Sequence, residues 1–193
     1  MKLIILLLKI ILILLIIYLI SAFLAKSSYK VERSAIINAP GNIVYNQIGI
    51  LRNWENWSPW KERDPSATNT YKGPDGKVGS IMKWIGDKKK SGSGKIEIIS
   101  ADSPRLMNYK LNFDGPPEMS SMGTFQLSEA SADKTKISWS DAGNIPFVLR
   151  PMMMFSSMDK FMGPDFERGL VKLDSLCAIQ YIELMKMMHR DSI

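Results

Sequence analysis

The alternation of apolar and polar residues between positions 78 and 142 constrains the fold more than any other feature of the sequence. Apolar side chains recur at every second position in several short runs, and Gly, Pro, Asn or Asp residues separate these runs. Such alternation is typical of antiparallel strands that bury one face of a sheet and expose the other. Together with two shorter runs upstream, the pattern predicts strands at 31–39, 69–73, 78–85, 95–100, 105–113, 119–129 and 135–142.

One long amphipathic helix follows the predicted strands. Residues 165–188 carry apolar side chains at spacings of three and four, which places them on one stripe of a helix. Pro164 suits its first turn, and Asp165 and Glu167 suit the positive end of its dipole. A helix of about 36 Å is long enough to lie across a whole sheet. Because a curved sheet and a straight helix cannot touch along their full length, this order predicts a cavity between them.

Two short helices are predicted between the first strand and the rest of the sheet, at 41–48 and 51–57, followed by a loop at 61–66. The second helix lies in a run that contains three of the five Trp residues of the chain, Trp54, Trp57 and Trp60. This tryptophan cluster has two interpretations, because its rings could close one end of the core or line the entrance of the cavity.

The first 25 residues differ from the rest of the chain. Residues 3–24 are almost all apolar, with Lys9 as the one charge, and would span about 33 Å as a helix. We therefore expect a transmembrane anchor at 1–25, a linker at 26–30 and a folded domain at 31–190. A cleaved secretory signal is the alternative, but its apolar core is usually about 7 to 15 residues. The flanking charges leave open on which side of the membrane the domain lies.

Composition argues against several kinds of protein. Cys177 is the only cysteine, which excludes an internal disulfide framework. His189 is the only histidine, so zinc or iron has no ligand set and histidine-based catalysis is disfavoured. Without Lys2 and Lys9, 23 basic and 19 acidic residues remain, a net charge of +4, and the one basic run, at 88–90, lies in a Gly- and Ser-rich turn. Nucleic-acid binding is therefore not expected, and no metal or cofactor is predicted.

The inward faces of the predicted strands supply candidate binding residues. Asp141 is in phase with Trp139, so its carboxyl group is predicted to face the cavity, where burial would raise its pKa, or to reach water at the rim. Tyr109 offers an inward hydroxyl group. The Met-rich segment 145–162 is either an adaptable lid or packing beneath the long helix, with an exposed part touching the bilayer. The candidate ligand-binding residues are Trp54, Trp57, Trp60, Trp84, Tyr109, Trp139, Asp141, Met153 and Phe166, and no catalytic residue is assigned.

Several local strings are spread along the predicted domain. They are Val-Glu-Arg-Ser at 31–34, Ile-Asn-Ala-Pro at 37–40, the Trp run at 53–60, the Gly-containing stretch at 76–80 and Phe-Glu-Arg-Gly-Leu at 166–170. In this order they resemble the START-like, or SRPBCC, superfamily, in its polyketide cyclase/dehydrase-like branch. The resemblance implies a helix-grip fold, an α+β domain in which a curved antiparallel sheet of about six to seven strands surrounds a long C-terminal helix. The superfamily includes lipid carriers, hormone receptors and aromatase/cyclases, so the fold implies no single reaction.

These observations predict a membrane-anchored binding domain rather than an enzyme. Its expected partners are the membrane and a small hydrophobic or amphipathic molecule (a lipid, an isoprenoid or an aromatic compound), and the resemblance to bacterial members suggests a bacterial inner membrane. The oligomeric state is left open. The alternatives are a cyclase/dehydrase-type enzyme that uses Asp141 or Tyr109, and a membrane tether without a filled cavity. A binder predicts a large apolar cavity, an enzyme predicts a deep Asp141 beside a donor, and a tether predicts a collapsed core.

Overall fold

The computed structural model describes residues 2–190 and shows an antiparallel sheet, a long C-terminal helix, several short helices and an N-terminal apolar helix. The helices are α1 Lys2–Leu24, α2 Gly41–Gly49, α3 Trp54–Trp57, α4 Pro59–Arg63, α5 Arg150–Met153 and α6 Met158–Arg190, with 3-10 turns at Leu51–Asn53 and Phe147–Leu149. The strands are β1 Ser28–Ile37, β2 Thr68–Lys72, β3 Ile81–Ile85, β4 Ser93–Asp102, β5 Leu106–Phe113, β6 Met119–Ser131 and β7 Lys134–Asn144.

The seven strands form one sheet in the order β1-β7-β6-β5-β4-β3-β2, and every neighbouring pair is antiparallel. The chain crosses from one edge strand, β1, to the other, β2, through the short helices α2, α3 and α4. Bulges between Ile98 and Ser100 and between Glu129 and Ser131 shift the register, and bulges increase the local twist of a sheet. The predicted α+β architecture of about six to seven antiparallel strands with a long C-terminal helix is confirmed.

Several element boundaries differ from the predictions where the local pattern is weak. β1 begins at Ser28, so the strand takes up part of the stretch expected to be a linker at 26–30. β3 begins at Ile81 rather than at position 78, because Gly79 has a φ of 86° and belongs to the preceding turn. The expected loop at 61–66 is in part helical, since Pro59 occupies the first turn of α4.

The last helix begins about two turns earlier than predicted, at Met158 instead of Asp165. Pro164 therefore lies inside α6 rather than in its first turn, where its missing N–H leaves one intrahelical hydrogen bond unmade. Ion pairs with β1 flank this position. The Arg33 guanidinium of β1 bonds Asp159 at 2.7 Å and Glu167 at 2.6 Å, so β1 holds both sides of the proline.

An aromatic stack joins the start of α6 to the concave face of the sheet. The Phe166 ring lies parallel to the Trp139 ring with centroids 4.1 Å apart, and Trp57 meets Trp139 nearly edge-on at 5.5 Å. All three side chains are completely buried. Gly169 allows the close approach, because a Cβ at this position would press on the Trp139 ring and on Pro59.

Gly123 in β6 lets the Tyr109 ring lie flat across the sheet, because an added Cβ would overlap that ring. The ring has little room to move, since it is buried and meets Trp54 edge-on at 5.4 Å. We expect Gly123→Ala to lower the free energy of unfolding by about 1 to 3 kcal/mol through overpacking. Denaturant titration followed by tryptophan fluorescence measures the change.

The matched control for this substitution is Gly41→Ala at the start of α2. The nearest atom to the new Cβ is 3.8 Å away there, an ordinary contact distance. We expect the control to change the free energy of unfolding by less than about 0.5 kcal/mol. Equal losses in the two variants would contradict the packing role of Gly123.

Candidate functional site

A cavity of about 340 Å³ lies between the concave face of the sheet, the short helices α3 and α4, and the first turns of α6. Strands β3, β4 and β5 form its floor, and α6 covers it from above. The wall is mostly apolar and is rich in aromatic and Met side chains, among them Trp54, Trp60, Met82, Trp84, Met119 and Met162. This is the space that the predicted layout of curved sheet and straight helix leaves open.

The mouth of the cavity lies at the end of the sheet where β1 begins. Strand pairing sets Gly94 opposite both Trp84 and Phe113, and Phe113 is in turn opposite Met119. Three wall residues at this end, Phe113, Phe161 and Lys90, are exposed to solvent, whereas Trp54 and Tyr109 deeper in the cavity are buried. Because α1 ends at Leu24, just before β1, the mouth and the end of α1 lie on the same side of the domain.

Asp141 is buried directly behind the cavity wall, with 1% of its surface exposed. Its carboxylate accepts hydrogen bonds from the Tyr29 hydroxyl at 2.9 Å and from the Ser121 hydroxyl at 2.8 Å. Burial raises the pKa of Asp141 above its usual value, and the two hydrogen bonds oppose that rise. Tyr29 itself lines the cavity, so its phenol connects the hidden carboxylate to the ligand space.

Tyr109 places a second phenol in the wall. Its oxygen accepts a hydrogen bond from the indole Nε1 of Trp139 at 2.9 Å. Burial, and secondarily the charge of Asp141, raise the pKa of Tyr109, so the phenol stays protonated. A phenol whose oxygen accepts one hydrogen bond can still donate its own proton to another acceptor.

Asp165 closes the wall between α4 and α6. The Arg63 Nη2 lies 2.7 Å and 2.5 Å from its two carboxylate oxygens, and Arg168 bonds the same carboxylate. The Asp165 side chain is only 4% exposed, whereas both arginines reach solvent. A buried carboxylate with two charged donors joins α4 to α6, and it offers no free charge to a ligand.

The structure divides the predicted binding residues between the cavity wall, the core and α5. Four of them line the cavity, namely Trp54, Trp60, Trp84 and Tyr109. Trp57, Trp139 and Phe166 lie in the aromatic stack of the core, Asp141 lies behind Tyr29, and Met153 lies in α5. Within the tryptophan cluster, Trp57 is packed in the core, whereas Trp54 and Trp60 line the cavity, with Trp54 at its buried end.

Tyr29 is the main site residue that the sequence reasoning missed. The predicted linker at 26–30 includes it, because the strand pattern is clear only from Val31. β1 pairs with β7 so that Tyr29 stands opposite Gly143, where a Cβ would come within 3.0 Å of the Tyr29 hydroxyl. The spacing of two between Tyr29 and Val31, which puts both on one face of a strand, is the signal that could have revealed it.

Comparison with known proteins agrees with this geometry. A sequence profile of the family described as polyketide cyclase / dehydrase and lipid transport matches residues 28–178. The chain belongs to this family. No curated protein shows significant sequence similarity to it.

Solved structures share the fold at low sequence identity. Norcoclaurine synthase from Thalictrum flavum, in complex with dopamine and hydroxybenzaldehyde, is 13% identical with a TM-score of 0.58, over 81% of this chain and 90% of that one. The Aha1 dimer from Colwellia psychrerythraea is 14% identical with a TM-score of 0.57, over 78% and 97%. Major latex-like protein 151 from Panax ginseng is 14% identical with a TM-score of 0.54, over 78% and 97%. These likenesses show the fold, and with the profile they confirm the predicted superfamily.

Within residues 2–190, α1 is the one helix that is long and apolar enough to cross a membrane. A signal sequence near the N-terminus would meet the same criterion. α1 also contacts the domain, because Ala22 is buried and the Tyr18 hydroxyl donates a hydrogen bond to the carbonyl oxygen of Val148 at 2.6 Å.

The raised pKa of Asp141 predicts how stability depends on pH. Above a pH of about 4 the unfolded carboxyl has lost its proton while the folded one still holds it. The folded state therefore binds more protons, and stability falls as the pH rises through the raised pKa. We expect Asp141→Asn to lack this loss, so that its stability relative to the wild-type protein increases with pH. Unfolding free energies of both proteins between a pH of about 4 and 8 test this.

Ser121→Ala provides the companion variant, because Ser121 donates to Asp141 but does not line the cavity. The Ser121 hydrogen bond lowers the pKa of Asp141, so its removal should raise that pKa. The fall in the free energy of unfolding should then extend to higher pH. Parallel pH profiles in the wild-type protein and in Asp141→Asn would contradict the assignment.

Proposed function

We propose that the protein binds a small hydrophobic or amphipathic molecule, of the lipid, isoprenoid or aromatic class, in the cavity between the sheet and α6. The observation that carries the proposal is the mostly apolar cavity of about 340 Å³. Sites for small molecules usually measure about 300 to 1,000 Å³, so a compact ligand suits this one. Burial of apolar ligand surface would contribute roughly 25 cal/mol per Å². An open cavity also argues against the collapsed core expected of a simple tether.

The polar groups of the wall favour a ligand with an oxygen atom at its inner end. Tyr109 lines the cavity, and its hydroxyl, which accepts a hydrogen bond from Trp139, would donate to a carbonyl or hydroxyl oxygen of the ligand. Lys90 stands exposed at the mouth, where it suits a polar or anionic group that stays in water. A phenol buried among apolar side chains selects for such an oxygen, because an unpaired buried donor costs about 1 to 3 kcal/mol.

The proposal extends to a membrane anchor. α1 has the length and composition of a membrane span. The cavity mouth lies on the side of the domain where α1 ends and β1 begins. An anchored domain would keep this mouth near a store of apolar molecules. The lipid transport in the family description supports a lipid-like ligand, and the dopamine and hydroxybenzaldehyde bound by norcoclaurine synthase support an aromatic one.

Blocking the cavity should abolish binding without unfolding the protein. Ala67 is almost buried and lines the cavity, so Ala67→Phe places a ring in the ligand space. The test is native mass spectrometry of the full chain extracted from its membrane, followed by solvent extraction of bound molecules. We expect a ligand on the wild-type protein and its loss from Ala67→Phe, with unfolding transitions confirming that both are folded.

Ala132→Phe is the matched control, because Ala132 is exposed in the β6–β7 turn. It should retain the ligand at the wild-type level. A wild-type protein that is repeatedly recovered folded and empty, or an Ala67→Phe protein that keeps its ligand, would overturn the binding proposal.

A second candidate is an enzyme of the cyclase/dehydrase type, which the Tyr29–Asp141 hydrogen bond favours. Tyr29 donates its proton toward Asp141, so its oxygen can accept a proton from a ligand in the cavity while Asp141 takes the phenolic proton. Tyr109 would donate a hydrogen bond to the ligand carbonyl that becomes an enolate. The net step moves one proton from ligand carbon to Asp141, which needs no oxidant or reductant.

Deuterium exchange tests this second candidate. The recovered ligand is incubated with the protein in D2O, and its mass is followed with time. An enzyme would exchange carbon-bound hydrogen in the ligand, and Asp141→Asn would abolish the exchange while the ligand still binds. A ligand that gains no carbon-bound deuterium on the wild-type protein would leave binding as the function.

A further inference from the structure

We propose that residues 147–161, which we call the apolar segment, dock with α1 into the surface layer of a lipid bilayer, so that the cavity opens toward the membrane. The apolar segment comprises the 3-10 turn Phe147–Leu149, α5 and the start of α6. The inference rests on the membrane anchor and the binding cavity of the proposed function, and it adds the surface through which ligand would enter and leave.

The hydrogen bond between Tyr18 and Val148 sets the depth of the apolar segment. Tyr18 lies six residues before the end of α1 at Leu24, which is about 9 Å along a helix. With α1 in a bilayer, Val148 would lie at that level. This matches the burial of about 5 to 10 Å that is usual for interfacial elements, and Tyr is enriched at this boundary.

The backbone of the apolar segment is suited to a site with little water. A peptide group without a partner is costly in lipid. Within the segment, the Tyr18 hydroxyl satisfies the Val148 carbonyl, and the Arg150 Nε donates to the carbonyl of Ile145, two residues before the segment, at 3.1 Å. The turn bonds Leu149 N to Pro146 O and Met154 N to Pro151 O close the segment on itself.

The side chains of the apolar segment are exposed although they are large and apolar. They are Phe147, Val148, Met152, Met154, Phe155 and Phe161, exposed by 41% to 89%. A contiguous exposed apolar patch marks an interaction site. Because this patch continues the surface of α1, which is itself a candidate span, the occupant that covers both without a break is a bilayer.

The apolar segment is also part of the cavity. Phe161 belongs to the exposed patch and lines the cavity, and Met158 and Met162 line it on the same turns of α6. A ligand leaving between these side chains would therefore pass from the cavity into the docked surface without crossing water. The flexible thioether side chains of Met suit a passage for irregular apolar molecules.

Charge around the mouth is uneven. The β3–β4 turn at 87–92 carries three exposed lysines at 88–90 beside the exposed Asp87. Lys26, which follows α1, and Lys160, in the first turn of α6 next to the Arg33-paired Asp159, are also exposed. Lys and Arg near anionic lipid contribute about 1 kcal/mol each. The β5–β6 turn at the same end carries the exposed Asp114 and Glu118, so anionic headgroups are expected to contact the β3–β4 side.

A depth measurement on the full chain tests the proposal. The protein is reconstituted into vesicles of phosphatidylcholine and phosphatidylglycerol, with a nitrobenzoxadiazole dye on Phe155→Cys or, at the far end of the sheet, on Ala132→Cys. Cys177 interferes little, because it is fully buried and burial raises the pKa of its thiol to about 12. Met154→Cys is a second probe of the apolar segment.

We expect doxyl groups on the lipid acyl chains to quench the dye at 155 and 154. Iodide in the aqueous phase should quench the dye little at these two positions. At 132 the dye should show the reverse. Iodide quenching at 155 and 154 equal to that at 132 would overturn the docking, and so would protection from both quenchers, which would indicate contact with another protein chain.

The ligand content of the same samples separates this inference from the proposed function. Lipid quenching at 155 on a protein that is empty by native mass spectrometry would sustain the docking and sink the binding proposal. A ligand-loaded protein without lipid quenching at 155 would sink the docking and sustain binding.

Discussion

The stack of Phe166 on Trp139 determines how the rest of the domain is arranged. It joins α6 to β7 at 4.1 Å between ring centroids, and Trp57 closes against the same indole. Because these large side chains are fully buried, they fill the space between α6 and this part of the sheet. Strands β3 to β5, which lie further across the sheet from this stack, face the cavity. The position of the cavity thus follows from where the core is packed.

The polar groups of the site depend on the same packing. Trp139 donates to the Tyr109 hydroxyl, and Gly123 gives the Tyr109 ring its place on the sheet. Asp141, two residues further along β7, lies on the same face and accepts a hydrogen bond from Tyr29, which lines the cavity. The edge pairing of β1 with β7 therefore creates the hydrogen bond that connects Asp141 to a residue of the cavity wall.

Much of the fold followed from periodicity, and less of the site did. The alternation in β5 and β7 and the stripe of α6 are local patterns, so the strands and the helix were predicted with small errors at their ends. α4 and the early start of α6 were missed, because a proline usually marks a boundary. At Pro164 the ion pairs of Arg33 with Asp159 and Glu167 hold the helix across it.

The sequence by itself determined the apolar N-terminal helix, the sheet with one buried face and the long helix that crosses it, because each depends on the order of nearby residues. Only the tertiary structure decided which aromatic rings line the cavity. Trp54 and Trp57 lie three residues apart in one helix turn, yet one faces the ligand space and the other the core. It also decided that Tyr29 meets Asp141 and that Tyr18 meets Val148, since those contacts join residues more than 100 positions apart and depend on strand register and helix placement.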